Sequence, residues 1–267
     1  MEETYVHGYD SRESVRLQDQ ASTLSDLLHS DTSFPAGSRV LEAGCGVGAQ
    51  TSILARNSPG AEIIAIDVSE ASLAQAKKKL DSAGITNVSL KQGDIFELPF
   101  EKASFDHVFV CFVLEHLPNP VEALKCLKKM IKAGGTITVI EGDHGSVYFY
   151  PESQDARRAI NCQIALQARA GGNALIGREL YPLLTKAGFR NCRVSPRMVY
   201  VDSSRPHFVE GFTKNTFTAM IEGVREKAPA AGIIDRESFD RGIRDLYRTT
   251  EPDGVFCYTF FKATAIR

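Results

Sequence analysis

Residues 39–49, which read RVLEAGCGVGA, decide the fold of this chain. A short apolar strand from Arg39 to Glu42 runs directly into a turn that has glycine at positions 44, 46 and 48, and a helical pattern follows through Arg56. Glycines at alternate positions let the backbone turn sharply and let a ligand approach where a Cβ atom would collide. The order of strand, glycine-rich turn and helix therefore predicts a ligand-binding turn at the start of an α/β fold.

Downstream of this turn, apolar strands alternate with helical patterns over short connections. We predict strands at 62–67, 88–92, 106–112 and 136–141, with helices at 69–83 and 120–132 between them. Strands that are apolar on both faces are typical of a parallel sheet covered by helices on both sides. The sequence therefore predicts a doubly wound α/β sheet, which two further strands at 189–202 and 254–265 complete.

The whole chain, residues 1–267, is predicted to form a single domain. Residues 1–37 are expected to form an N-terminal helical segment, or lid, and residues 38–143 the cofactor-binding core. Residues 144–267 are expected to supply helices on the acceptor side and the closing strand hairpin, with a helical insertion at about 206–247.

Composition excludes several classes of protein. A chain of 267 residues with 43% hydrophobic residues can bury a substantial core, so disorder is excluded. A net charge of −2 offers no general field for a polyanion, and we expect no nucleic-acid partner. The six cysteines form no CxxC pair and no zinc spacing, so we expect no metal site and a cytoplasmic location. No stretch is long and apolar enough to predict a membrane span.

The acidic residues around the glycine turn indicate what it binds. Gly44, Gly46 and Ala49 satisfy the G-x-G-x-x-G/A dinucleotide pattern, and Asp67 ends the next strand, where a ribose-binding acid belongs. Glu42, however, would repel a pyrophosphate and favour a cationic ligand. Asp94 follows the third strand, where it could accept a hydrogen bond from an adenine amino group. The residues favour a cationic adenosine cofactor, with a nicotinamide cofactor as the alternative.

The order of these segments resembles one family, the class I S-adenosylmethionine-dependent methyltransferases. The resemblance covers about residues 38–143 and is carried by VLEAGCGVGAQT, IIAIDVS, QGDIFELPF, SFDHVFVCFVLEHL and LKKMIKAGGTITVIEGD. It implies a Rossmann-like, seven-stranded, mainly parallel sheet that ends in a β-hairpin. It also implies S-adenosyl-L-methionine as the cofactor and S-adenosyl-L-homocysteine as the product. A NAD(P)-dependent oxidoreductase and a non-catalytic S-adenosylmethionine-binding module remain the alternatives.

The resemblance also assigns roles to individual residues. It implies that the backbone around Gly44 and Gly46 faces the methionine part of the cofactor and that Asp67 binds both ribose hydroxyls. Asp94 is expected to contact the adenine amino group. The Ile95 amide is expected on the adenine ring and the Cys111 carbonyl on the cofactor's amino group, with Cys45 and Val68 beside these groups. Glu42 is expected to act through the loop amides or through a water near the methionine ammonium. Tyr9 is expected to contact the sulfonium, with packing of the first helix against the sheet as the alternative.

Candidate residues for the acceptor follow the predicted fifth strand. Glu141, Asp143 and His144 crowd the expected mouth of the sheet, with His144 as a general base or an orienter of the acceptor. In the alternative interpretation Asp143 caps a short turn and His144 is solvated. We predict methyl transfer to an O or N atom of a small-molecule acceptor by in-line displacement. The acceptor's identity and the oligomeric state stay open.

Overall fold

The computed structural model describes residue 16 and residues 20–267. Seven strands form one sheet in the order β3-β2-β1-β4-β5-β7-β6. The pairs β1–β2, β2–β3, β1–β4 and β4–β5 are parallel, which confirms the predicted doubly wound, mainly parallel architecture. The strands are β1 Arg39–Ala43, β2 Glu62–Asp67, β3 Val88–Gln92, β4 Phe105–Cys111, β5 Ile131–Tyr150, β6 Arg190–Val201 and β7 Val255–Ile266.

Helices and helical turns follow most strands. The α-helices span Ser25–His29, Thr51–Asn57, Glu70–Ser82, Pro120–Met130, Gln154–Arg169, Leu180–Lys186, Pro206–Phe208, Ala219–Glu222, Lys227–Ala230 and Arg236–Arg248. Short 3₁₀ turns occupy Leu114–His116 and Ile176–Glu179, and a π-helical segment spans Val209–Thr218. Among the described helices, none is both long and apolar enough to cross a lipid bilayer.

The core explains why the central strands read as continuous apolar runs. Leu41, Ile64, Val108 and Ile137 of four neighbouring strands share one buried cluster with Leu124 and other residues of helix Pro120–Met130. In a second buried cluster, Ala65 of β2 packs with Leu73 of helix Glu70–Ser82. Because both faces of these strands are covered, alternation between polar and apolar residues is absent there.

Strand β5 is longer than the sequence suggests. The predicted strand ends at Glu141, whereas β5 continues to Tyr150. Its distal part alternates strictly, with Val147 and Phe149 buried and Tyr148 and Tyr150 exposed, which is the period of a strand with one covered face. In the sequence this part resembles a connector because it contains Gly142, Gly145, Asp143 and His144. The residues predicted at a strand mouth therefore lie within the strand.

The chain divides into two compact units. The first, here called the sheet unit, comprises Ser25–Glu141, Ile176–Arg197 and Phe261–Arg267. The second, here called the helical unit, comprises Gly142–Leu175, Met198–Phe260 and the described residues up to Leu24. The helices between β6 and β7 fall in the helical unit, and the glycine turn falls in the sheet unit.

Candidate active site

The glycine turn after β1 is fixed against the end of β2. The φ angles of Gly44, Gly46 and Gly48 are +79°, +51° and +73°. The amides of Gly44 and Cys45 both donate to the Ile66 carbonyl, at 2.8 and 2.9 Å. The turn is therefore held from the neighbouring strand in the conformation that its glycines permit.

Asp67 holds the same turn from the other side. One carboxylate oxygen accepts the Gly46 amide hydrogen at 2.8 Å, and the other accepts the Ser69 amide hydrogen at 2.9 Å. Because β1 and β2 are parallel neighbours, their carboxyl ends meet, and the structure brings Asp67 to the glycine turn as the sequence predicts. Contact with ribose hydroxyls remains a prediction.

Glu42 lies in β1, two residues before the first glycine of the turn, and only 2% of its surface is exposed. Burial raises the pKa of Glu42 to about 7, and the charge of Asp67 acts in the same direction. Its Oε2 atom has no hydrogen-bond partner among the described residues. A buried carboxyl with an unused oxygen is stabilised in its charged form by a nearby cation, so this residue fits a positively charged ligand.

Exposed apolar side chains lie next in sequence to the acids at the ends of β2 and β3. Val68 is 57% exposed and Phe96 is 39% exposed, whereas Ile95 is buried. The Asp94 carboxylate accepts the Phe96 amide hydrogen at 2.9 Å, which shapes this turn. Uncovered apolar surface next to a carboxylate acceptor suits a flat base such as adenine.

Two more of the predicted residues, Cys111 and Glu141, flank the turn after β4. Cys111 ends β4 and is buried, and burial raises the pKa of its thiol, as it does for Cys45. Glu141 is fully buried, and a single oxygen, Oε1, accepts the amide hydrogens of Val113 at 3.0 Å and Leu114 at 2.7 Å. Burial, followed by the charge of Glu115, raises the pKa of Glu141 well above its ordinary value. The structure therefore places Glu141 on the backbone of this turn.

The segments at the carboxyl ends of β1, β2, β3 and β4 carry acidic side chains without lysine or arginine. Segments 42–50, 67–70, 92–97 and 111–117 contain no lysine or arginine, but they contain Glu42, Asp67, Asp94 and Glu115 among their acids. A pyrophosphate would meet carboxylates without a basic partner, which is unfavourable at short range. A cationic adenosine derivative meets no such penalty.

His144 lies in the helical unit and is buried there. Its Nδ1 atom is 2.8 Å from the Tyr258 hydroxyl, and its ring lies edge-on to Phe217 at 6.1 Å between centroids. Sequence reasoning missed Tyr258, although the alternating aromatic residues of β7 place every second side chain on one face.

Asp143 adopts the capping arrangement that the sequence left open as an alternative. Its carboxylate accepts the Gly145 amide hydrogen at 3.0 Å, and the Ser146 hydroxyl donates to the Asp143 carbonyl at 2.7 Å. Tyr9, the remaining predicted contact, lies outside the described residues. No group of three or more metal-ligating side chains occurs within the described part of the chain.

A sheet of this order, with a glycine turn after β1 and an acid at the end of β2, defines a Rossmann-like fold for an adenosine cofactor. A family model described as a methyltransferase domain matches residues 35–188. Because this match covers more than half of the chain, the protein belongs to the class I S-adenosylmethionine-dependent methyltransferase family. Membership decides between the two cofactors that the sequence left open, in favour of S-adenosylmethionine.

Curated relatives agree with the family. The chain is 32% identical over 217 residues to an uncharacterized 37.1 kDa protein in transposon TN4556 of Streptomyces fradiae, covering 79% of this chain and 61% of that protein. It is 34% identical over 134 residues to demethylmenaquinone methyltransferase of Staphylococcus aureus, covering 50% of this chain and 55% of that enzyme. The matched region thus spans less than two thirds of either relative.

Solved structures support the fold. Phosphoethanolamine N-methyltransferase 2 of Haemonchus contortus, bound to S-adenosylhomocysteine, superposes with a TM-score of 0.56 at 17% identity, covering 93% of this chain and 52% of that one. A putative methyltransferase of Bacillus halodurans superposes with a TM-score of 0.55 at 18% identity, covering 92% and 97%. At these identities the likeness concerns the fold alone.

Proposed function

We propose that this protein transfers the methyl group of S-adenosylmethionine to an oxygen or nitrogen atom of a small-molecule acceptor. The observation that carries the proposal is the Asp67 carboxylate, which holds the glycine turn among segments that contain acids but no lysine or arginine. The activated methyl group is the chemistry that the cofactor supplies. The protein's part is to bind, to orient and to keep water out.

The cofactor side of the proposal uses residues of the sheet unit. The orphaned Oε2 atom of buried Glu42 fits a ligand with a positive charge, here the methionine ammonium. Asp67 would bind the ribose hydroxyls, and Asp94 the adenine amino group, with Val68 and Ile95 against the base. The backbone of Gly44, Cys45 and Gly46 and the carbonyl of Cys111 complete the expected contacts.

The acceptor side uses His144 of the helical unit. A hydrogen bond to Tyr258 fixes the orientation of the imidazole ring, and the surrounding aromatic side chains exclude water. A neutral imidazole held in this way can take the proton from an O–H or N–H acceptor, which typically contributes about 10²–10⁴-fold to a rate. Relatives in fold include enzymes named for both N- and C-methylation, so the oxygen or nitrogen preference rests on His144.

Calorimetric titration with S-adenosylhomocysteine and with NADH tests the cofactor assignment. We expect micromolar binding of S-adenosylhomocysteine and none of NADH. Binding of NADH alone would refute the proposal and restore the oxidoreductase alternative.

Incubation with methyl-labelled S-adenosylmethionine and fractionated small-molecule extracts tests the transfer. A labelled product one methylene heavier than its acceptor is expected. His144→Asn should lower its formation about 10²–10⁴-fold without changing S-adenosylhomocysteine affinity. His207→Asn is the matched control, because His207 is an exposed histidine of the same unit. Tight cofactor binding without turnover in any fraction would favour the non-catalytic binding module.

A further inference from the structure

The turn that follows β4, Phe112–Leu114, is held in an unusual conformation. Phe112 has a φ angle of +57°, in the left-handed region that residues with a Cβ atom rarely adopt. Its amide donates to the Ile140 carbonyl at 2.9 Å, which leaves the next two amides pointing away from the strand ladder. A strained residue beside a ligand site persists only when its surroundings fix it.

Glu141 supplies the fixing contact. Its Oε1 atom accepts both of these amide hydrogens, from Val113 and from Leu114, and no part of the residue is exposed. Leu114 is itself fully buried, so without Glu141 its amide would lack a partner away from water. An unpaired amide away from water is unfavourable, so the turn would rearrange rather than keep its shape.

The position of this turn is set against the glycine turn. A Cβ atom at Gly44 would lie 2.5 Å from Cγ2 and 3.0 Å from Cγ1 of Val113. The Val113 side chain therefore occupies the space that glycine leaves free, and any shift of the 112–114 backbone moves the surface on which Gly44 rests. Gly44 belongs to the segment expected to face the methionine part of the cofactor.

We propose that Glu141 is a positioning residue: by accepting the Val113 and Leu114 amides, it holds Val113 against Gly44 and so fixes the glycine turn for S-adenosylmethionine. This inference rests on the proposed function and gives Glu141 a role through the backbone instead of through the acceptor's proton. The two roles require different properties of the side chain. Positioning requires an acceptor oxygen, whereas general-base catalysis requires a carboxylate.

Two substitutions separate these roles. Glu141→Gln keeps an oxygen that can accept both amide hydrogens, and we expect its S-adenosylhomocysteine Kd to stay within about threefold of the wild-type value. Glu141→Met keeps the bulk but has no comparable acceptor, and we expect its Kd to rise at least about tenfold. Val139→Ala, a fully buried site on the same strand, should lose stability without changing the Kd.

Val113→Ala tests whether Glu141 acts on the glycine turn through the Val113 side chain, and it remains informative if Glu141→Met does not fold. It should weaken S-adenosylhomocysteine binding by itself, and its effect should not add to that of Glu141→Met in the double variant. Calorimetry on the full chain measures the wild type and all five variants. Unchanged affinity in Glu141→Met or in Val113→Ala would overturn the inference, as would a loss in Glu141→Gln equal to that in Glu141→Met. Failure of the wild type to bind S-adenosylhomocysteine would instead refute the proposed function.

Discussion

At the scale of single residues, Asp67 carries the sharpest prediction. Asp67→Asn replaces one of two oxygens that accept amide hydrogens from Gly46 and Ser69 with a group that cannot accept them. Hydrogen bonds from the ribose hydroxyls to this charged acceptor would contribute about 1.5–3 kcal/mol to binding, so the S-adenosylhomocysteine Kd should rise about 10- to 100-fold. Calorimetry measures this, with Asp81→Asn as the control, since the Asp81 side chain pairs with exposed Lys77 on a helix surface. An unchanged Kd would remove Asp67 from the cofactor site.

Glu42 makes stability depend on pH. Its pKa is about 7 in the folded protein against an ordinary value of 4.5, so the folded state keeps the proton to higher pH than the unfolded state. Stability contributed by the neutral form is complete below pH 4.5 and declines as the pH rises towards 7. The loss is about 1.4 kcal/mol per pH unit, or about 3 kcal/mol in all.

Urea unfolding of the ligand-free protein between pH 5 and pH 8 measures this effect. Glu42→Gln cannot ionise and should show a shallower decline in the free energy of unfolding than the wild type. Glu62→Gln, at an exposed position of β2, should retain the wild-type decline. Identical pH profiles for the wild type and Glu42→Gln would show that Glu42 titrates normally.

The residues show where sequence reasoning reaches its limit. The positions of Glu42, Asp67 and Asp94 are predictable because each lies at a strand end or within two residues of one, and parallel strands bring those ends together. The partner of Glu141 is a pair of backbone amides 27 and 28 residues earlier, and backbone groups leave no trace in the residue type. Tyr258 is 114 residues from His144, so only the folded sheet shows their contact.

At the scale of elements, a substitution in the glycine turn can distinguish the cost of backbone strain from the loss of a ligand contact. Gly46 has a φ angle of +51°, and a Cβ atom added there would meet no other protein atom within 4 Å. Gly46→Ala should therefore cost only the left-handed strain, about 1–2 kcal/mol of stability. If the cofactor lies against this backbone, the added methyl group should also weaken S-adenosylhomocysteine binding, by more than the strain alone would.

Gly84→Ala provides the matched control for that substitution. Gly84 also has a positive φ angle, +64°, with nothing within 4 Å, and it follows helix Glu70–Ser82 away from the turn. Denaturation should give similar stability losses for both variants, and calorimetry should show weaker S-adenosylhomocysteine binding only for Gly46→Ala. Equal affinities in the two variants would place the ligand elsewhere.

Strand β7 is joined to the turn after helix Ser25–His29 by a buried lysine. Lys262 is 4% exposed, and its ammonium donates to Asp31 at 2.6 Å, to the Thr32 hydroxyl at 2.5 Å and to the Leu28 carbonyl at 3.3 Å. Asp31 also accepts a hydrogen bond from Arg197 of β6 at 2.5 Å. Partial burial tends to raise the pKa of Asp31, but the hydrogen bonds from Lys262 and Arg197 outweigh it and lower that pKa.

Lys262→Met should therefore destabilise the sheet unit moderately. Removing one partner of a fully buried pair costs about 3–5 kcal/mol, but Asp31 is half exposed and keeps Arg197, so we expect about 1–2 kcal/mol. Thermal unfolding measures it, with Lys125→Met as the control for an exposed lysine paired on a helix surface. A loss as small as that control's would mean that water replaces the ion pair.

The elements themselves were largely predictable. The mostly apolar segments of β1, β2 and β4 are five, six and seven residues long, and they were predictable because both faces of each strand need apolar side chains. The distal half of β5 was not predictable, since Gly142 and Gly145 interrupt a run of alternating residues. Glycine weakens a strand pattern in sequence but is compatible with pairing where a neighbour approaches closely, as the Tyr258 hydroxyl does at Gly142.

At the scale of the whole molecule, the described residues divide by role along the two units. All the expected cofactor contacts that the structure describes lie in the sheet unit, whereas Asp143, His144 and Tyr258 lie in the helical unit. Local exchange of loop amides reports nearby ligand contact, while slowly exchanging helix amides report global stability. Hydrogen exchange with saturating S-adenosylhomocysteine should therefore slow the fast amides of 42–50, 66–70, 92–96 and 111–116.

The same experiment should leave the fast amides of 145–153 and 202–205 in the helical unit unchanged, and saturating NADH should change neither set. In the helical unit, only the slowly exchanging amides of helices such as Gln154–Arg169 are expected to exchange more slowly. They report the ligand-induced increase in the free energy of unfolding, about 2.7 kcal/mol at a ligand concentration of 100 times Kd. Protection confined to the helical unit would contradict the cofactor assignment, because the acids and glycines that carry it all precede residue 142.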